Sequence, residues 1–146
     1  MSLPPPKIGL VIRYSYLWAS DAARGFDEGS KERPAVIVLC INLPSARESR
    51  VVVLPITHSP PSTAHDALEI PAVVARNAGL DAARSWVLLS EFNEFVWPGF
   101  DLRHVPDRSP PTVAYGFITA GFFGTLRDRW LALDREGKSK SICRDG

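Results

Sequence analysis

The sequence predicts a mainly β fold with one C-terminal helix: a small, strongly bent antiparallel sheet or barrel with the helix packed on it. Three observations carry this prediction. Short runs rich in β-branched and aromatic residues recur along the chain, separated by Gly- and Pro-containing turns. Two of those runs, in residues 35–41 and 51–56, are continuously apolar, as strands buried on both faces are. Helical periodicity is convincing only over residues 120–135, where Phe123, Leu126, Trp130 and Leu133 repeat on one stripe. A run of strands followed by one helix is a layered arrangement in which the helix covers the sheet.

Pro4 to Pro6 form an extended arm. Residues 8–18 are apolar with polar interruptions at Arg13 and Ser15, and read as the first strand. Residues 20–31 are polar, of mixed charge, and hold two glycines, so a long mobile loop is expected. Pro34 stands near the start of the next strand, where a missing N–H is tolerated. That strand and the one after it are expected to pair antiparallel through a polar turn at 42–49. Pro60 and Pro61 interrupt regular structure over 58–64. Residues 67–70 read as a short strand, 73–77 as one helical turn stopped by Gly79, and 85–92 as another strand. Trp97-Pro98-Gly99 is a turn signal, 106–111 a loop, and 113–118 a last strand. Thr119 is a natural N-cap, because its hydroxyl can accept from free N–H groups in the first helical turn. From Gly137 the chain is rich in Lys, Ser, Gly and Asp, and disorder is expected over 137–146.

The 146 residues suit a single domain, with an ordered core over about 8–133. The formal net charge of +1 gives no global basic field, so any nucleic-acid binding has to come from a local patch. The two cysteines, Cys40 in an apolar strand and Cys143 in a polar tail, are poor disulfide partners and have no metal-ligand spacing. No basic-then-apolar leader and no run long enough for a bilayer are present, so a cytoplasmic protein without membrane partners is expected.

The candidate chemistry sits where the two apolar strands meet. Arg33 begins the first and Thr57 ends the second, so antiparallel pairing lays a guanidinium beside a hydroxyl on the sheet rim. The planar guanidinium fork matches two phosphate oxygens. His58 follows directly, and histidine titrates where proton transfer at neutral pH needs it. Strand alternation argues against convergence of Thr57 and His58 unless the following prolines break it. Each residue also has a structural reading. Arg33 can be a surface arginine paired with Glu28 or Glu32, Thr57 a backbone cap, and His58 an exposed loop residue. Glu91 is either a base near the nucleophile or a strand end in water, with Glu94 beside it. Asn93 can read a base edge, and Arg24, Lys31, Arg33, Arg47 and Arg50 form a basic rim if their loops gather on one side. Trp18, Phe92, Phe95 and Trp97 offer stacking surfaces for unpaired bases or serve as core or dimer contacts.

These residues resemble the MazF/Kid/PemK family of toxins from bacterial toxin–antitoxin systems. The pattern consists of Gly9 near the first strand, Glu28 five residues before Arg33-Pro34, and an apolar strand. Next come a second strand ending Pro55-Ile56-Thr57, Gly79-Leu80, a strand bearing the acid Glu91, and a final helix introduced by Thr119. It spans about 8–133. The chain departs from the family at Glu91-Phe92, where members usually carry Asp-Gln, and at Glu94, where a basic residue is common. The resemblance implies a homodimeric SH3-like barrel of the CcdB/MazF type. It implies a growth-inhibiting endoribonuclease that cuts single-stranded RNA at short sequences without metal or cofactor. It also implies a cognate antitoxin that blocks the cleft and, through that antitoxin, indirect contact with operator DNA. Carried onto this chain, the catalytic residues are Arg33, Thr57 and Glu91, to which the residues themselves add His58. The residues expected to bind RNA are Arg24, Glu28, Lys31 and Asn93. Two other readings stay open: a non-catalytic CcdB-like toxin that binds a protein target, and a degenerate SH3-like binding module.

Overall fold

The computed structural model describes residues 3–23, 32–45, 47–61 and 66–144. Strands β1 (Leu10–Ser15), β2 (Glu32–Leu43) and β3 (Glu48–Thr57) form its centre. β1 pairs antiparallel with β2, and β2 with β3. Helix α1 (Ala19–Ala23) follows β1. Then come β4 (Ala67–Glu69), α2 (Ala72–Asn77), β5 (Trp86–Leu88), β6 (Glu91–Val96), β7 (Ala114–Phe117), α3 (Ala120–Arg135) and β8 (Lys140–Cys143). The sheet runs β4-β5-β3-β2-β1-β7, with β6 also on β3 and β8 on β6. It is open, with β4 and β7 at its ends, and all its pairings are antiparallel except β6–β8.

The continuous apolar runs are explained by burial on both faces. Val36, Val38, Val52, Leu54 and Ile56 point to a core shared with α2 and α3. Ala35, Ile37, Val51 and Val53 point the opposite way, onto Tyr14, Tyr16 and Phe95. Period-two alternation makes both sets apolar, so no polar position interrupts the strand. A register shift between Ile37 and Leu39 marks a bulge, which bends β2 where it crosses β3.

α3 is the helix the periodicity predicts. Thr119 is extended (φ −68°, ψ 153°) and its Oγ1 accepts from Phe122 N–H. Phe123, Leu126, Trp130 and Leu133 are its buried residues. Trp130 meets Phe92 edge to face at 5.3 Å, and its Nε1–H donates to Ser139 Oγ at 3.3 Å. No helix among the described residues is long and apolar enough to cross a membrane.

The structure differs from the sequence-based expectation in three places. The first strand stops at Ser15, and α1 (Ala19–Ala23) runs into the stretch expected to be loop; residues 24–31 of that stretch lie outside the described residues. The expected 85–92 strand is two strands, split at Leu89-Ser90 because β5 and β6 pair with different parts of β3. The tail expected to be disordered from Gly137 forms β8. Lys140 N–H donates to Ser90 O at 2.8 Å and Arg144 N–H to Glu94 O at 2.9 Å. The Arg144 guanidinium is buried, bonded to Asp101 Oδ1 at 2.8 Å and Ser15 O at 2.9 Å. Polar composition hides this strand, because backbone bonds and one buried ion pair hold it instead of an apolar stripe.

The aromatics are also placed. Tyr14, Tyr16 and Phe95 are buried within the chain itself, Tyr14 and Phe95 stacked at 5.0 Å. They need no second copy to leave water.

Candidate functional site

The β2–β3 hairpin brings Arg33 and Thr57 to one rim. Ala35 is registered with Pro55, and Arg33 and Thr57 lie two residues further along their strands. Alternation therefore puts both side chains on the aromatic face of the sheet. The Arg33 guanidinium lies over the Trp18 ring, 4.7 Å from its centroid. It has no hydrogen bond or ion pair among the described residues, and its Nε is buried without an acceptor. Burial pushes the guanidinium below its ordinary pKa, yet arginine remains charged. The result is a partly desolvated cation without a counter-anion among the described residues. Thr57 Oγ1 accepts from Ser59 N–H at 3.1 Å, which leaves its own O–H free to donate.

A cleft of about 630 Å³ wraps the ends of these strands, lined by Arg33, Thr57 and His58. Its other residues come mainly from the helix-side face. Arg13 and Glu32 form one wall, with Arg13 Nη2 at 3.7 Å from Glu32 Oε2 and Nη1–H donating to Tyr115 Oη at 3.0 Å. Glu32 also faces Arg103 at 3.7 Å. The far wall is Gly79, Tyr115 and Arg108. Here Gly79 is required: at φ +77°, a Cβ would come within 2.8 Å of Tyr115 O. Ser85, 2% exposed, also lines the cleft, and its Oγ has no hydrogen-bond partner among the described residues.

His58 lines the same cleft as Thr57, but its ring is engaged elsewhere. Nδ1 lies 2.9 Å from Arg84 O and must donate, because a carbonyl only accepts. Nε2 lies 3.3 Å from Asp81 Oδ2. The imidazole is thus held toward Asp81 and Arg84.

Glu91 and Asn93 do not join this group. Glu91 Oε1 accepts from Ala19 N–H at 2.8 Å, at the start of α1, and from Tyr16 Oη–H at 3.3 Å. Burial first, and the Glu91 carboxylate second, push the Tyr16 hydroxyl upward, so it stays a protonated donor. The expectation that Asn93 reads a base edge is corrected. Asn93 is fully buried, accepts from Leu17 N–H at 3.0 Å and donates to Leu17 O at 2.9 Å, so its amide is spent on the backbone. Both residues shape the Tyr16–Ala19 segment that carries Trp18 beneath Arg33. Phe92 and Phe95 lie in the two cores, and Trp97 stacks on Phe95 at 6.3 Å. Arg24, Glu28 and Lys31 lie outside the described residues.

Arg13, Asp81, Ser85, Arg108 and Tyr115 have no local signal in the sequence. They come from distant segments, and only the order of strands brings them to one rim. Among the described residues no group of three His, Cys, Asp or Glu side chains is placed to hold a metal ion. No protein-family model matches the chain, and no curated protein matches it significantly.

Proposed function

We propose that the chain is a metal-independent endoribonuclease acting on single-stranded RNA, and the toxin partner of a toxin–antitoxin pair. The observation that carries the reading is Arg33: it lines the cleft together with Thr57, its guanidinium is fixed on Trp18, and among the described residues no carboxylate pairs with it. A cation desolvated without compensation is stabilised by an anion that arrives with the substrate. A planar fork suits a phosphate.

In the reaction the ribose 2′-oxygen attacks the adjacent phosphorus and the P–O5′ bond breaks. The 2′-hydroxyl gives up a proton and the departing O5′ takes one, leaving a 2′,3′-cyclic phosphate and a 5′-hydroxyl. Arg33 stabilises the charge that grows on the non-bridging oxygens. Thr57 O–H donates to one of them, or holds the 2′-hydroxyl. His58, held by Arg84 O and Asp81, is a proton-transfer group on the same rim. The finer fold we infer is SH3-like, a barrel left open between β4 and β7, supported by the bent hairpin, the C-terminal helix and the order of elements. Homodimerisation and a cognate antitoxin over the cleft belong to the same proposal.

One observation favours a binding-only role, in which the cleft holds a protein or nucleic-acid anion without cutting it: both His58 nitrogens are already engaged. The experiment separates the two. Purified protein is incubated with a long single-stranded RNA in the presence of chelator, and the cut ends are mapped. Discrete cuts with 5′-hydroxyl ends, lost in Arg33→Lys, support the nuclease. Intact RNA with retained Arg33-dependent binding supports the binding module. Cutting that disappears with chelator and returns with magnesium overturns the mechanism.

A further inference from the structure

We infer that Arg108 forms a second phosphate subsite, so that the cleft engages two phosphates of one RNA strand rather than one. The inference rests on the ribonuclease reading above and extends it to the far wall.

The cleft crosses the same end of four neighbouring strands. Thr57 is on β3, Arg33 on β2, Arg13 on β1 and Tyr115 on β7. Three strand spacings of about 4.8 Å put Tyr115 roughly 14 Å from Thr57 across the rim. A phosphate held by Arg33 therefore occupies one end only, and a strand leaving it passes toward Tyr115.

At that end stands Arg108. Its Nη1–H donates to Tyr115 O at 3.2 Å and its Nη2–H to Gly79 O at 3.3 Å, with the guanidinium 5.9 Å above the Tyr115 ring. Two of its five N–H donors are used, and three remain. Gly79 provides the seat, since a Cβ there would stand 2.9 Å from Nη2. The other cations nearby have carboxylate partners: Arg13 and Arg103 share Glu32, and Arg84 grips Glu69 with two hydrogen bonds. Among the described residues Arg33 and Arg108 are the two guanidinia of this cleft without a carboxylate. Arg33 is held by an aromatic ring and Arg108 by backbone carbonyls. Both are fixed before a ligand arrives and neither has to give up an ion pair, which is what a preorganised phosphate site needs.

The test uses fluorescein-labelled uridine oligonucleotides of two, four and eight residues, with 2′-O-methyl groups to block cleavage. Anisotropy gives affinity between 50 and 200 mM KCl for the wild type, Arg33→Ala, Arg108→Ala, Arg108→Gln and Arg129→Ala. Arg129, exposed on α3, controls for loss of one surface charge. Wild-type affinity is expected to rise with length. Arg108→Ala should lose most of that gain, and its slope of log affinity against log salt should flatten by about 0.7, the value for one single-strand phosphate contact. Arg108→Gln keeps an amide donor for the carbonyls without the charge, and gives the same reading should the alanine variant melt early. If both Arg108 variants keep wild-type affinity and slope while Arg33→Ala weakens binding, the second subsite is wrong and the ribonuclease site stands. If Arg129→Ala flattens the slope as much as Arg108→Ala, the effect is general charge and the subsite is again wrong. If the wild type binds none of these oligonucleotides, both readings fall together.

Discussion

Replacing Arg144 by alanine should unfold the protein at markedly lower temperature, although the residue sits in a stretch whose composition reads as a free tail. The side chain is 4% exposed and its partner Asp101 14%. Besides the 2.8 Å bond to Asp101, the guanidinium donates to Ser15 O at 2.9 Å and reaches Asn93 Oδ1 at 3.4 Å. Removing one member of a buried pair costs about 3–5 kcal/mol, because the other charge is left in a low dielectric. Asp101 keeps some contact with water, so the lower end, about 3 kcal/mol, is expected. For a chain of this size 1 kcal/mol moves the melting midpoint by about 2–4 °C, so the loss is roughly 6–12 °C. Differential scanning calorimetry and urea titration of wild type, Arg144→Ala and Arg144→Lys measure it. Lysine keeps the charge but cannot span Asp101 and two further acceptors, so it should fall between the other two. An Arg144→Ala protein that melts with the wild type would show that the guanidinium is not buried on Asp101 and that the tail is free.

Four further outcomes follow from the same geometry. Arg33→Lys and Thr57→Val should each lower RNA cleavage about a hundred- to thousand-fold with little change in melting, and the double variant should be scarcely worse than Arg33→Lys; wild-type rates in both would move the site elsewhere. Trp130→Ala, at a side chain 4% exposed, should cost about 3–5 kcal/mol in urea unfolding, and a loss below about 1 kcal/mol would contradict its place in the core. Gly79→Ala should cost at least about 1–2 kcal/mol, because φ +77° is strained for any Cβ and this one meets Tyr115 O; an unchanged midpoint would refute the close packing of that turn on β7. Burial raises the Cys40 thiol above its ordinary pKa, so its thiolate appears only at higher pH, whereas Cys143 is exposed. Iodoacetamide at neutral pH should therefore label Cys143 first, with Cys40 catching up as pH rises, and equal rates at pH 7 would be the contrary result.

What the sequence determined by itself is the part of the molecule set by short-range patterns. The i, i+3, i+7, i+10 stripe and the Thr119 cap define α3, and two continuous apolar runs around a polar turn define the β2–β3 hairpin. That pairing alone puts Arg33 beside Thr57, so the centre of the candidate site was legible. For His58 the sequence left two readings open, and the structure shows both ring nitrogens engaged, by Arg84 O and Asp81. Tertiary structure decided which polar groups are buried and what they meet. Nothing near Asn93 in sequence shows that its amide is consumed by Leu17, nothing near Glu91 shows that it caps α1, and nothing around Arg144 shows an aspartate forty-three residues away. Nor does the sequence show that Arg33 has no carboxylate partner among the described residues while Arg13, on the neighbouring strand, shares Glu32 with Arg103. The physical reason is one of range. Periodicity and capping report on a few neighbouring residues, whereas the burial of a charge depends on which distant strand ends the chain brings to the same rim.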